Sequence, residues 1–357
     1  MNKIIHIILI SFFSLTVISC AKKSSDDSSS TNDDTSTTTS TDFIAVGRSG
    51  TILTSSDNGT TWTSRTTGID NGLYKITYEN DTFVTVGNSG NILTSSDDGI
   101  TWTSRTGTSN SLYKVIYGNS IFITVGNTGT ILTSSDGTTW TSRTSGTSVN
   151  LRGITYAKST FITVGYSGTI LTSSDGITWT SRTSGTSVTL YGVTYANSTF
   201  VVVGKNGTIL TSSDGITWTS RTSGTSTDHY RIAYGNSTFV TVGKAGTIFT
   251  SSDGVTWTSR NSGTSNGLFA ITYANSMFIA VGDNDEGAGT ILTSPDGITW
   301  TSRTSGTSEM LDDVTFGNST FVTIGDSGTI LTSSDGITWT SRTSGTTERL
   351  LGVTSKE

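Results

Sequence analysis

From Phe43 onward, short apolar runs alternate with polar turns, and the alternation itself recurs. One unit, residues 190–226, reads LYGVTYANSTFVVVGKNGTILTSSDGITWTSRTSGTS. Four runs rich in β-branched and aromatic residues stand out in it: LYGVTY, TFVVVG, GTILTS and TWTSRTS. Asn-Ser, Lys-Asn-Gly and Asp-Gly separate them, and such residues make hairpin turns because they tolerate φ > 0. No stretch carries apolar positions at helical spacing. Each unit predicts four antiparallel strands, the content of one blade of a β-propeller.

One tryptophan marks every unit. Trp62, Trp102, Trp140, Trp179, Trp218, Trp257, Trp300 and Trp339 are 40, 38, 39, 39, 39, 43 and 39 residues apart, a period that points to a propeller or a solenoid. Phase decides between them. The second run occurs eight times, beginning at Phe43, Phe83, Phe122, Phe161, Phe200, Phe239, Phe278 and Phe321. The first run is absent before Phe43 and stands alone at the C-terminus, at residues 350–354. A solenoid has no reason to end on a quarter of a unit, whereas a ring does. The 312 residues from Phe43 to Thr354 also divide into eight units of 39. The expected fold is all-β: an eight-bladed β-propeller of four-stranded antiparallel blades, closed by the C-terminal strand as inner strand of the first blade.

The turn before each Trp resembles a known motif. Ser55-Ser56-Asp57-Asn58-Gly59-Thr60-Thr61-Trp62 is similar to the Asp-box, S-x-D-x-G-x-T-W, of sialidases, sortilin-type receptors and photosystem II assembly factors. That resemblance implies a propeller and identifies no activity. Asp57, Asp97, Asp136, Asp175, Asp214, Asp253, Asp296 and Asp335 are read as structural, each carboxylate accepting hydrogen bonds within its own turn. Eight arginines, Arg65 to Arg342, follow the tryptophans by three and are read as charges that keep an exposed edge strand from pairing.

Ahead of the repeats, residues 1–19 read as a signal peptide, with Lys3 before a run too short for a membrane span. Val17-Ile18-Ser19-Cys20 resembles the lipobox of bacterial lipoproteins, and Cys20 is the only cysteine. The resemblance implies cleavage before Cys20 and acylation of its sulfur and new terminus; several acyl chains anchor stably where one is marginal. Residues 20–42 read as a lipidated, disordered tether and residues 43–357 as the propeller. Ala21, where an inner-membrane retention signal has Asp, favours the outer membrane by the same resemblance.

Composition then narrows the chemistry. Charged residues are 13% of the chain, net charge is −6 and no Lys/Arg run exceeds two, which excludes a nucleic-acid footprint. One Cys excludes internal disulfides and Cys-rich metal sites, and no cofactor is implied. His229 is the only histidine of the repeats, so a Ser–His catalytic pair finds no support. Variation between units locates the candidate site. Turns from first to second strands and the Asp-boxes are nearly identical, and both belong to one face of the disc. The opposite face varies, and scaffold residues repeat where site residues differ.

Candidates on that variable face are Arg48, Tyr74, Lys75, Tyr113, Lys114, Arg152 and Tyr166, followed by Tyr191, Lys205, Tyr230, Arg231, Lys244, Asp312 and Asp313. Cations gather on blades 2–6 and carboxylates on blades 7–8, a mixture suited to an anionic glycan or an acidic protein patch. The insertion 283–289 offers oxygen ligands for Ca²⁺ without the spacing of a calcium loop, and no metal site is assigned. A sialidase-like or other glycoside hydrolase built on Asp312, Asp313 and Glu309 is the alternative. The Phe-Arg-Ile-Pro motif of sialidases is absent. The expected protein is a monomeric, membrane-anchored, non-catalytic binding propeller of the bacterial envelope.

Overall fold

The computed structural model describes residues 40–283 and 289–356. The expected leader, Cys20, most of the tether and the centre of the acidic insertion lie outside the described residues. Eight four-stranded antiparallel sheets follow in chain order. Blade 1 joins residues 43–64 to Leu350–Ser355; blades 2 to 8 span residues 73–105, 112–143, 151–182, 190–221, 229–260, 267–303 and 311–342. Inner strands of successive blades touch all the way round, Leu311–Gly317 against Leu350–Ser355 and that strand against Leu73–Glu79. The chain is an eight-bladed propeller closed by its C-terminal strand.

Closure is a register of side-by-side residues: Phe43 opposite Ser355, Ile44 opposite Thr354, Ala45 opposite Val353 and Val46 opposite Gly352. Just beyond the seam, Lys356 N donates to the Asp42 carbonyl at 3.0 Å. Lys356 Nζ reaches Asp98 of blade 2 at 2.6 Å.

Burial explains the pattern of each run. Second and third strands sit between neighbouring blades and are covered on both faces, so Thr199–Gly204 reads as a near-continuous apolar run and Thr211 and Ser212 of Ile209–Ser212 are buried with their apolar neighbours. Each Phe near the start of a second strand is at most 1% exposed, and in blades 2 to 8 it meets an aromatic ring of the inner strand, as Tyr195 meets Phe200 at 4.5 Å. Tryptophans seal the joint between blades: Trp218 of blade 5 packs against a cluster that joins Ile162, Val164 and Ile170 of blade 4 to Phe200 and Leu210 of blade 5. Its Nε1 donates to the Gly215 carbonyl at 3.1 Å, so the indole is spent in place.

The turns obey their residues. Asn197-Ser198 and six counterparts take φ > 0 at both positions, the requirement of a type I′ hairpin. Gly207, at φ +71, closes the second-to-third turn of blade 5, and a Cβ there would collide with the Thr225 carbonyl.

The repeat arginines depart from the edge-charge expectation. Each guanidinium lies back on its blade and donates through Nε to a threonine of the third strand, Arg221 to Thr211 Oγ1 at 2.8 Å. Thr211 is only 3% exposed, so its hydroxyl has lost water and needs this partner. The same bond recurs in all eight blades. Arg221→Ala is therefore expected to cost ~1–3 kcal/mol in urea unfolding. In the Thr211→Val background the further loss should fall to under ~1 kcal/mol, because no buried hydroxyl is then orphaned. An equal cost in both backgrounds would return Arg221 to the role of a surface charge.

Candidate functional site

A one-residue register shift recurs where each inner strand meets its second strand. In blade 3 it falls between Leu112 and Lys114, and in blade 6 between His229 and Arg231. The residue skipped by the ladder is a β-bulge, which re-aims a side chain away from the sheet. Around the ring these residues are Tyr74, Tyr113, Arg152, Tyr191, Tyr230, Phe269, Asp312 and Leu351. All eight line one cavity of about 720 Å³ at the mouth of the central channel. One bulge per blade thus builds a ring of side chains that the scaffold leaves free to differ.

Immediately below lies a second ring: Lys75, Lys114, Gly153, Gly192, Arg231, Ala270, Asp313 and Gly352. A buried threonine in the middle of the second strand fastens it in five blades. Thr124 Oγ1, for instance, donates to the Lys114 carbonyl at 2.9 Å. Lys75, Lys114, Gly153, Gly192 and Arg231 line a deeper cavity of about 80 Å³.

The mouth is aromatic along one arc. Tyr74 and Tyr113 stack at 5.9 Å, and their hydroxyls donate to Asn88 and Asn127 of the neighbouring turns. The Arg152 guanidinium lies 4.1 Å above the Tyr113 ring and donates to Tyr166 Oη at 2.6 Å. Tyr230 bridges Tyr191 at 5.7 Å and Phe269 at 6.0 Å. Burial pushes the phenols of Tyr74, Tyr191 and Tyr230 up, so they remain neutral donors.

Ion pairs occupy the opposite arc. Arg349 grips Asp312 with two bonds, 2.7 Å from Nε and 2.6 Å from Nη2, and also meets Asp326 at 3.1 Å. Lys75 reaches past Gly352 of blade 1 to pair with Asp313 of blade 8. Asp312, Asp313 and Asp326 of the acidic side read from the sequence are thus held in ion pairs, Lys75 is engaged as well, and Glu309 accepts from Ser327 Oγ at 3.0 Å. Burial raises the Asp312 carboxyl despite Arg349. Asp312 and Asp313, two of the three carboxylates on which the hydrolase alternative rests, are both held in ion pairs.

Of the sequence candidates, Tyr74, Lys75, Tyr113, Arg152, Tyr166, Tyr191, Tyr230, Arg231 and Asp312 share the mouth. Lys114 stands in the deeper cavity, and Asp313 meets Lys75. Arg48, Lys205 and Lys244 are exposed on the outer turns of the same face and do not line the mouth. Met310 and Arg349 line it and escaped the sequence reading. Their one signal is position: each immediately precedes the inner-strand leucine of its unit, Leu311 or Leu350.

The Asp-box turns form the other face. Asn197 Nδ2 on a first-to-second turn donates to the Ser252 carbonyl of the next blade's Asp-box at 3.2 Å, which joins the two invariant turns. Asp214 Oδ1 accepts from Ser212 Oγ and from the amides of Ile216 and Thr217 at 2.8–2.9 Å. Those amides, Thr217 first, hold its carboxyl down at about 2. Asp57, Asp97, Asp136, Asp175, Asp253, Asp296 and Asp335 accept within their turns in the same way.

Neither a protein-family model nor a curated protein matches the sequence. Solved structures match in fold. YCF48 from Cyanidioschyzon merolae superposes with a TM-score of 0.54 at 18% identity, over 73% of this chain and 94% of that one. YCF48 bound to D1 peptide gives 0.53 at 19%, over 68% and 89%. Virginiamycin B lyase from Staphylococcus aureus gives 0.59 at 15%, over 71% and 91%. At these identities the likeness is one of fold.

His229 occupies the slot that is leucine in the other seven inner strands. It is fully buried, edge-on to Phe249 at 5.3 Å, and neither ring nitrogen has a hydrogen-bond partner among the described residues. Burial drops its pKa from 6.5 to about 4. Below the unfolded value the unfolded chain binds the extra proton, so stability drains away as pH falls from about 7 toward 4. His229→Leu should remove that loss. The stability gap between variant and parent is expected to widen by about 2 kcal/mol from pH 8 to pH 5 in urea unfolding. A gap independent of pH would contradict a neutral, unpartnered imidazole in that slot.

Proposed function

We propose that this chain is a lipid-tethered, non-catalytic binding propeller of the bacterial envelope, which takes an anionic protein or glycan partner in the channel mouth. The observation that carries the reading is the bulge ring. Eight structurally equivalent positions hold Tyr, Tyr, Arg, Tyr, Tyr, Phe, Asp and Leu, while the Asp-box face repeats itself blade after blade. A face that repeats has little with which to tell partners apart. A mouth of rigid aromatic rings and cations offers stacking surface and charge together.

The root of the tether agrees with that assignment. Thr41 Oγ1 donates to the Asp98 carbonyl at 2.6 Å, and Asn58 N donates to Asp42 Oδ2 at 2.8 Å, both on the Asp-box face. Lipid on Cys20 then draws that face toward the outer membrane and leaves the mouth open. The YCF48 structure with a D1 peptide is a propeller of similar fold bound to a polypeptide, which supports a binding role for the fold.

Photo-crosslinking in cells tests the reading. A benzophenone side chain placed at Tyr191 or Phe269 is expected to yield a discrete adduct in the membrane fraction, and one placed at Ile216, exposed on the Asp-box face, none. Cys20→Ser should move the protein out of that fraction and the adduct with it. Adducts formed from Ile216 alone would put the partner on the wrong face.

A further inference from the structure

The throat beneath the mouth holds more positive charge than its own carboxylate neutralises. The second ring contains Lys75, Lys114 and Arg231 against Asp313, and Lys75 is the cation that Asp313 pairs with. The Lys114 ammonium makes no hydrogen bond or ion pair with any described residue, and among them the Arg231 guanidinium donates only to the Tyr230 carbonyl, at 3.0 Å. At the upper edge of the same cavity, Arg152 Nε is buried and unpartnered. A buried donor without a partner costs ~1–3 kcal/mol, and like charges held together in a protein-walled conduit add repulsion. An anion relieves both.

We propose that this throat binds a compact oxyanion of the phosphate class, held between Lys114 and Arg231 with the Arg152 guanidinium at its rim. The size fits: the cavity of about 80 Å³ has room for one phosphate group. Gly153 and Gly192 of blades 4 and 5 line it without a side chain of their own. The donor set also fits, since Lys supplies a point charge and Arg a planar fork. The charges already feel one another. Burial, then Arg231 and Lys75, lower the Lys114 ammonium to about 8. The inference rests on the mouth reading only in naming what sits at the bottom of that site.

Inorganic phosphate, titrated into the purified full chain at constant ionic strength, is the probe. A saturable rise in Tm is expected, with the Lys114 pKa, followed by NMR of lysine side chains, moving upward as the site fills. Lys114→Met and Arg231→Gln should each weaken apparent phosphate affinity about tenfold or more. Lys244→Gln, on the exposed rim, should leave it unchanged. Glycerol phosphate separates the two sources: tighter binding than inorganic phosphate means a phosphate carried on a larger molecule, and equal binding means the free ion. No saturable response, or the same response in both throat variants with their phosphate-free Tm unchanged, overturns the proposal. Phosphate binding without mouth adducts keeps the throat and removes the partner reading; adducts without a phosphate response do the reverse.

Discussion

A ring of blades has two ends, and everything in this molecule depends on their meeting. The antiparallel pairing of Phe43–Gly47 with Leu350–Ser355 supplies the inner strand that blade 1 lacks in its own sequence. It covers the backbone edge of the first strand, which otherwise templates pairing with another chain. It also buries Leu350 and Val353 in the cluster that holds Phe43 and Val322, uniting blade 8 with blade 1. The mouth inherits its geometry from that seam. Arg349 stands just before the closing strand and holds Asp312, and Gly352 within it lets Lys75 reach Asp313 across a full blade.

Away from the seam the design separates stability from specificity along each blade. Second and third strands, covered on both faces, carry the apolar burial, and the outer strand supplies the Arg–Thr bond and the tryptophan that seals the joint. Inner strands contribute their leucine and one more apolar position to the core. The bulge between them releases a single side chain into the channel. That residue can be Tyr, Arg, Asp or Leu without disturbing a ladder it no longer belongs to, which is how a nearly invariant repeat comes to carry a varied mouth.

Much of this was legible in the chain because its physics is local. Strand boundaries follow from Asn-Ser and Asp-Gly turns, blade number from the Trp spacing, and closure from the orphaned first run at residues 350–354. The site was legible only as a set of positions that vary. The bulge left one trace, the three-residue spacing of the buried pair Leu73 and Ile76 where a regular strand repeats every two, and its place appears only when the partner strand is laid beside it. The pair Lys75–Asp313 joins residues 238 apart in sequence and adjacent only after the ring closes, and Arg349 grips Asp312 one repeat away, so the carboxylates nearest the channel of the face read as polarised are paired with cations. The repeat arginines misled for a similar reason. Their threonine partners are ten or eleven residues away and reveal their need only through burial.

Hydrogen exchange followed by mass spectrometry at the seam tests the closed ring most directly. If closure is as strong as any mid-ring pairing, peptides covering 43–47 and 350–355 should exchange as slowly as those covering 199–204. All of them should accelerate together with added urea, because opening the seam is then opening the whole ring. Fast exchange confined to the two seam peptides, with 199–204 still protected, would mean that the ends separate on their own, and the account of closure would fail.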